Sequence, residues 1–182
     1  SDLGIHCFDT APSYGAAEIM LGQFIKKYRI TSANIDIVSK VDVNKNTIRS
    51  QLQNTLSNLG LASLTGYLLH DCKSMYNHDE VDNLISLKKE GLIKNVGVSV
   101  YLPKDAVFAA RQSWVDYIQI PYNVFDQRLD RNNFFQVAKE NGKTVFARSV
   151  LLQGLLGMEP LKVSIKLPMA HEEIIRFNKI VR

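Results

Sequence analysis

The segment GIHCFDTAPSYGAAEIMLG, from Gly4 to Gly22, contains the pattern from which the fold can be argued. Its first part, Gly4–Asp9, is a short run of apolar and aromatic residues that predicts a β-strand ending on a carboxylate. A loop with proline and glycine follows, and a stripe of helical spacing then begins. Its members are Ala17, Met20, Leu21, Phe24, Ile25 and Tyr28.

The same alternation of strand and helix continues along the chain. Further apolar runs that predict strands are Ile35–Lys40, Gly66–His70, Val96–Val100, Tyr117–Ile120 and Thr144–Ala147. Repeated strand and helix units indicate a parallel α/β fold, either a doubly wound sheet or part of a (β/α)8 barrel, and spacing alone leaves both open. The segment from Leu151 to Ala170 has no clear periodicity and is expected to be a long, functional or mobile loop.

Local signals mark the ends of the predicted helices. Gly60 and Gly142 stand where a helix would end, because glycine accepts the left-handed conformation there. Asn77 is placed to cap the start of a helix, and Pro103 is placed in the first turn of another.

Polar residues stand at the carboxyl ends of the predicted strands. Asp9, Lys40 and His70 end the first three strands, and Ser99 and Gln119 lie near the ends of the next two. In a parallel α/β fold these ends share one edge, which is where active sites lie. Tyr14 follows Asp9 in the loop above that edge.

Four of these side chains could together donate a proton to a carbonyl. A lysine ammonium favours the ionised form of a nearby tyrosine, a carboxylate would pair the lysine, and a histidine can hydrogen-bond a substrate oxygen. No side chain supplies a hydride, so this chemistry requires a nicotinamide cofactor. The alternative is that the Asp–Lys pair is a structural salt bridge and the histidine a rim residue.

Several segments resemble the aldo-keto reductase family, in the correct order and over essentially the whole chain. The stretch from Asp9 to Gly15 matches its D-T-A-x-x-Y-G element, and IVSKV and YLLHD resemble its lysine and histidine strands. The later segments GVSVY, YIQIPYN and FARSVLLQGLL resemble its cofactor strands. The resemblance implies a catalytic tetrad of Asp9, Tyr14, Lys40 and His70.

The resemblance also implies NADPH as cofactor and a small aldehyde or ketone as substrate. The residues expected to hold the cofactor are Ser99, Gln119, Arg148, Ser149, Leu151 and Gly154. Ser99 and Gln119 match the family's contacts to the nicotinamide carboxamide, whereas Val100 replaces an asparagine of that set. Arg148 stands where many members stack a tyrosine, and a guanidinium plane can also stack.

The implied fold is a parallel (β/α)8 TIM-type barrel, here incomplete with about six βα units. Residues 1–182 are expected to form a single partial barrel domain with strands 2 to 7 of the family barrel. A complete barrel needs about 250 residues, so the chain is expected to be a fragment or a truncated product that lacks the first and last strands. Besides a carbonyl reductase, the open alternatives are a reductase-like cofactor-binding or regulatory subunit and an inactive fragment.

The composition fits a globular domain and indicates few other functions. Hydrophobic residues are 46% and charged residues 22% of the 182, with a formal net charge of +4. The basic residues are scattered, which gives no indication of nucleic-acid binding. No apolar run approaches the ~20 residues of a membrane span. No secretory signal is visible. Cys7 and Cys72 cannot form a disulfide framework, so a cytoplasmic location is expected. No spacing of ligands predicts a metal site, and the oligomeric state stays open.

Overall fold

The computed structural model describes residues 4–31 and 34–181, which fall into two compact units. The first unit is Ser1–Ile120 with Arg128–Phe146, and the second is Pro121–Gln127 with Ala147–Arg182. The expectation of a single domain over 1–182 stays a prediction.

The strands form one sheet in which neighbours follow the order of the chain. They are β1 Cys7–Asp9, β2 Asp36–Val41, β3 Leu64–Leu69, β4 Ile93–Ser99, β5 Tyr117–Pro121 and β6 Thr144–Arg148. The pairs from β1 to β5 are all parallel. A doubly wound sheet would reverse its strand order, whereas this consecutive order is that of a (β/α)8 barrel, so the barrel alternative is confirmed.

Helices connect consecutive strands, as parallel pairing requires. The α-helices are α1 Ala17–Lys27, α2 Ile48–Leu59, α3 His78–Lys89, α4 Pro103–Arg111, α5 Phe134–Glu140, α6 Pro160–Lys166 and α7 His171–Val181. Shorter 3-10 helices are Cys72–Tyr76, Arg128–Asn132, Leu152–Gly157 and Pro168–Ala170.

The helix-end signals act as predicted. The Asn77 side chain accepts a hydrogen bond from the backbone N–H of Asp79 at the start of α3. Gly60 follows α2 with a φ of 67°, and Pro103 opens α4 in its first turn. These residues therefore mark where α3 and α4 begin and where α2 ends.

The first strand is shorter than the sequence indicates. Gly4 has a φ of 66°, outside the extended region, and only Cys7–Asp9 pair with β2. The sequence predicts a strand from Gly4, but the left-handed backbone of Gly4 is incompatible with an extended strand. The strand therefore begins at Cys7.

Two glycines make room for an aromatic ring on the sheet. A Cβ on Gly66 would lie 2.8 Å from Cδ2 of Tyr117, and a Cβ on Gly97 would lie 2.4 Å from the Tyr117 carbonyl oxygen. Real side chains do not approach this closely, so both positions require glycine if Tyr117 is to pack between the strands.

The second unit corrects the expectation of a long loop from Leu151 to Ala170. This stretch contains α6 and two 3-10 helices. Leu156 and Val163 are buried with Ile174 of α7 in a small apolar cluster. Helices of only three to seven residues are too short to show a repeating apolar stripe, which is why the sequence did not predict them. Among the described residues, no helix is long and apolar enough to cross a membrane.

Candidate active site

Strand pairing places the predicted residues on one face of the sheet. Lys40 of β2 pairs with Leu68 of β3, and Leu68 pairs with Gly97 of β4. His70 and Ser99 stand two positions beyond Leu68 and Gly97. Because side chains two positions apart point to the same face of a strand, Lys40, His70 and Ser99 share the face at the carboxyl ends.

Lys40 is buried and paired. Its side chain is 1% exposed, and Nζ lies 2.6 Å from Oδ1 of Asp9 on the neighbouring strand. The same ammonium donates a hydrogen bond of 3.0 Å to the carbonyl oxygen of Thr10. A buried ammonium is costly unless it is paired and hydrogen-bonded, and these two acceptors meet that need.

Tyr14 lies in the loop between β1 and α1, beside Lys40 and His70. The ammonium of Lys40 lies over the Tyr14 ring, 4.9 Å from its centroid. The rings of His70 and Tyr14 are nearly perpendicular, at 87°, with their centroids 6.4 Å apart. Tyr14 remains 46% exposed, so its ring is accessible to a small molecule. The structure thus brings together the four residues that the sequence predicts as a tetrad.

Gln119 of β5 reaches the same group. Its Nε2 donates a hydrogen bond of 3.0 Å to Oδ1 of Asp9. An ionised carboxylate can only accept hydrogen bonds, so the amide nitrogen of Gln119 must face Asp9. The Oε1 atom of Gln119 is buried and has no hydrogen-bond partner among the described residues. Ser99 pairs with Gln119 between β4 and β5 and is also buried.

A cleft of about 340 Å³ opens beside His70. Its lining is mostly polar and consists of Asp42, Asn44, His70, Asp71 and Tyr101. Sequence reasoning assigned a role in the site only to His70, although the other four lie just beyond strands β2, β3 and β4. The residues immediately after each predicted strand are therefore the signal that could have identified this cleft.

Two titratable groups at this edge are perturbed. Burial would raise the pKa of Asp42, but hydrogen bonds from Asn44 and Lys45 outweigh it and lower this pKa. The lowered pKa favours the charged carboxylate. Burial, followed by the carboxylate of Asp105, raises the pKa of Cys72. A raised thiol pKa reduces the fraction of reactive thiolate at neutral pH, so the pKa of Cys72 gives no indication of a catalytic thiol.

No metal centre is formed in the part of the chain that the structure describes. Within residues 4–31 and 34–181, no three His, Cys, Asp or Glu side chains come together as a possible metal site.

The second unit contains the other predicted cofactor residues. Arg148 ends β6, and its carbonyl oxygen accepts a hydrogen bond of 3.2 Å from the Tyr122 N–H. Left-handed backbone follows, with φ of 58° at Ser149 and 89° at Gly154. Leu151 and Gly154 are exposed. A non-glycine residue with positive φ carries a conformational cost, and such residues concentrate at ligand-binding segments.

Comparison with known proteins identifies the family. The model of the Aldo/keto reductase family matches residues 1–174. The chain is 27% identical over 176 residues to the uncharacterized oxidoreductase YqkF of Bacillus subtilis strain 168, covering 88% of this chain and 56% of YqkF. The chain therefore spans little more than half the length of that relative.

Solved structures agree in fold. The aldo-keto reductase from Klebsiella pneumoniae in complex with NADPH is 26% identical with a TM-score of 0.69, and the match covers 84% of this chain and 55% of that protein. The aldo/keto reductase from Brucella melitensis is 26% identical with a TM-score of 0.66, covering 96% and 70%. The family model matches nearly all of the chain, and the strand order of the chain is that of a (β/α)8 barrel. The chain belongs to the aldo/keto reductase family.

Proposed function

We propose that this chain carries the catalytic residues of an NADPH-dependent oxidoreductase that reduces an aldehyde or ketone to an alcohol. The observation that carries the proposal is the position of the Lys40 ammonium, 2.6 Å from Asp9 and 4.9 Å from the centroid of the Tyr14 ring. When bound, NADPH supplies the two electrons and one of the hydrogens that carbonyl reduction requires.

Tyr14 is the proposed proton donor. The carbonyl oxygen gains negative charge as its carbon is reduced, and a positioned acid lowers the barrier by giving it a proton. The adjacent Lys40 ammonium stabilises the negative charge that remains on the tyrosine oxygen. Asp9 accepts a hydrogen bond from the Lys40 ammonium and so orients it in its buried position.

His70 is proposed to orient the carbonyl. Its ring is perpendicular to the Tyr14 ring and lines the polar cleft, so a substrate in that cleft would meet His70 on the side where Tyr14 lies. A neutral imidazole can donate one hydrogen bond to a carbonyl oxygen, which fixes that oxygen for protonation.

The first unit fits a nicotinamide carboxamide. The Oε1 of Gln119 is a buried acceptor without a hydrogen-bond partner among residues 4–31 and 34–181, and a carboxamide N–H₂ would satisfy it. Ser99, opposite Gln119 in the sheet, offers a hydroxyl on the same face. Arg148, Ser149, Leu151 and Gly154 stay the predicted contacts to the rest of the cofactor. The Klebsiella pneumoniae relative, crystallised with NADPH, supports this choice of cofactor.

Replacement of Tyr14 by phenylalanine in the full-length protein tests the proposal. We expect Tyr14→Phe to lower the rate of NADPH-dependent reduction of a simple aldehyde by about 10²–10⁴-fold while NADPH binding stays within about twofold. Tyr28→Phe is the matched control, because this exposed tyrosine lies at the far end of α1. Turnover by Tyr14→Phe equal to that of the unmodified protein would exclude Tyr14 as the proton donor.

A further inference from the structure

A buried carboxylate, Glu18, lies next to the candidate site and has no part in the proposed chemistry. Glu18, in the first turn of α1, is 4% exposed. Its Oε1 accepts hydrogen bonds from the hydroxyls of Ser39 at 2.8 Å and Thr55 at 3.0 Å. Its Oε2 accepts one from Nδ2 of Asn58 at 3.3 Å. Burial of a carboxylate is expensive, and two hydroxyls and an amide offset only part of that cost.

The bond between Glu18 and Ser39 links the two segments that carry Tyr14 and Lys40. Ser39 directly precedes Lys40 on β2, and their side chains point to opposite faces of the strand. Glu18 follows Tyr14 by four residues, and the carbonyl of Tyr14 accepts a hydrogen bond of 3.3 Å from the N–H of Ala17. The segment from Tyr14 to Glu18 is therefore a short turn held by its own hydrogen bond. The hydrogen bond from Ser39 that holds Glu18 in place thus also restricts the position of Tyr14.

Helix packing alone does not explain this carboxylate. Helices α1 and α2 already touch at Gly22, where an added Cβ would lie 2.0 Å from the carbonyl oxygen of Asn58. A well-packed apolar side chain at position 18 could hold the same helices together at lower desolvation cost. The bond to Ser39 instead joins α1 to the strand that carries Lys40.

We propose that Glu18 is a positioning residue, which holds the Tyr14 loop in register with Lys40 through the hydroxyl of Ser39. The inference rests on the proposed function, because it assigns Glu18 a role in aligning the proton donor. Glu18 touches neither substrate nor cofactor in this scheme. A displacement of a catalytic group by about 1 Å can lower a rate by about 10²-fold, so a lost anchor has a measurable effect.

Four variants of the full-length protein test the proposal: Glu18→Ala, Glu18→Gln, Ser39→Ala and Thr55→Ala. We expect Glu18→Ala and Ser39→Ala to lower kcat for aldehyde reduction by about tenfold or more, with KM within about twofold. Thr55→Ala removes a hydrogen bond of similar length to the same oxygen of Glu18. That bond connects Glu18 to α2 and not to the strand of Lys40, so kcat should stay within about twofold. Glu18→Gln should retain most of kcat, because its Oε1 still accepts both hydroxyls and Asn58 can turn its amide.

Urea denaturation of the same variants separates positioning from stability. If Ser39→Ala and Thr55→Ala lower both the free energy of unfolding and kcat to the same extent, Glu18 is a structural residue and the proposal is wrong. Loss of kcat in Ser39→Ala alone, at comparable stability, supports it.

A readout without turnover distinguishes failure of this inference from failure of the proposed function. With tyrosine labelled by ¹³C at Cζ, the resonance of Tyr14 is assigned by its loss in Tyr14→Phe. We expect Glu18→Ala and Ser39→Ala to shift this resonance and Thr55→Ala to leave it in place. If all three variants leave it unchanged, Glu18 does not position Tyr14, whether or not the protein reduces aldehydes. If the unmodified protein reduces no aldehyde but the resonance shifts as expected, only the proposed function fails.

Discussion

Gln119 and Asp9 are 110 positions apart in the chain, yet Nε2 of Gln119 donates a hydrogen bond of 3.0 Å to Oδ1 of Asp9. The same oxygen accepts the hydrogen bond from Nζ of Lys40. Gln119, which is predicted to hold the nicotinamide, is therefore in contact with Asp9, the partner of the buried Lys40 ammonium that is predicted to serve the proton donor. The contact also fixes the orientation of the Gln119 amide and leaves its Oε1 available to a ligand.

Replacement of Gln119 by leucine should weaken NADPH binding. Leucine has a similar size but cannot accept a hydrogen bond, so a carboxamide N–H would lose its partner. A net hydrogen bond contributes about 0.5–1.5 kcal/mol, and a buried unsatisfied donor costs more, so we expect about tenfold weaker binding in a fluorescence titration. Gln53→Leu, on the exposed face of α2, is the matched control. Equal affinity of the two variants would argue against a role for Gln119 in holding the cofactor.

Removal of the charge on Asp9 should destabilise the fold, and a second substitution should restore part of the loss. Asp9→Asn leaves the buried Lys40 ammonium without its counter-ion. Because Asp9 is 36% exposed, we expect a loss of about 1–3 kcal/mol, less than for a fully buried pair. The double variant Asp9→Asn with Lys40→Met removes both charges and should recover stability in urea denaturation. A double variant less stable than Asp9→Asn alone would contradict this account.

The sequence predicted the strands and their polar ends well, because alternation of apolar runs and helical stripes depends on local spacing. The sequence predicts six strands, and the described part of the chain contains six, with boundaries that differ by a few residues. The same local argument places Lys40, His70, Ser99 and Gln119 at strand ends and Tyr14 in the loop above them. Resemblance to the family adds the cofactor role of Ser99 and Gln119 and the further cofactor residues Arg148, Ser149, Leu151 and Gly154.

The contacts between these residues could not be predicted, because they depend on register. The pairing of Ser99 with Gln119 and the hydrogen bond from Gln119 to Asp9 join residues distant in the chain, and nothing local fixes them. The same holds for Glu18, which the sequence shows only as one acidic residue in a helical first turn. Its burial becomes visible only when α2 and β2 are packed against it.

Close packing of α1 on α2 gives a prediction for Gly22. The Cβ of Gly22→Ala would lie 2.0 Å from the backbone oxygen of Asn58, so the two helices must separate. Overpacking of this kind costs about 1–3 kcal/mol, which thermal denaturation would show as a lower Tm. Gly157→Ala is the control, because its Cβ would meet no atom within 4 Å and its φ is not left-handed. If Gly22→Ala is as stable as Gly157→Ala, the helices adjust without cost.

The environment of Cys72 predicts how its reactivity responds to Asp105. The thiol of Cys72 lies 3.7 Å from Oδ2 of Asp105, and burial, followed by this carboxylate, raises the pKa of Cys72. A raised pKa means less thiolate at a given pH, so Cys72 should react slowly with iodoacetamide at pH 7 to 8. Asp105→Asn removes the negative charge, lowers the pKa of Cys72 and should increase its alkylation rate several-fold in that pH range.

Cys7 provides the control for Cys72 within the same molecule. Burial, followed by Asp36 and Asp9, raises the pKa of Cys7, so the Asp105→Asn substitution should leave its alkylation rate unchanged. Mass spectrometry of the two cysteine peptides over time would measure both rates in one sample. At a pH above both values of the Cys72 pKa the thiol is ionised in either protein, so the difference at Cys72 should disappear. A rate increase at Cys7 equal to that at Cys72 would mean that the substitution loosens the fold and does not act through the charge of Asp105.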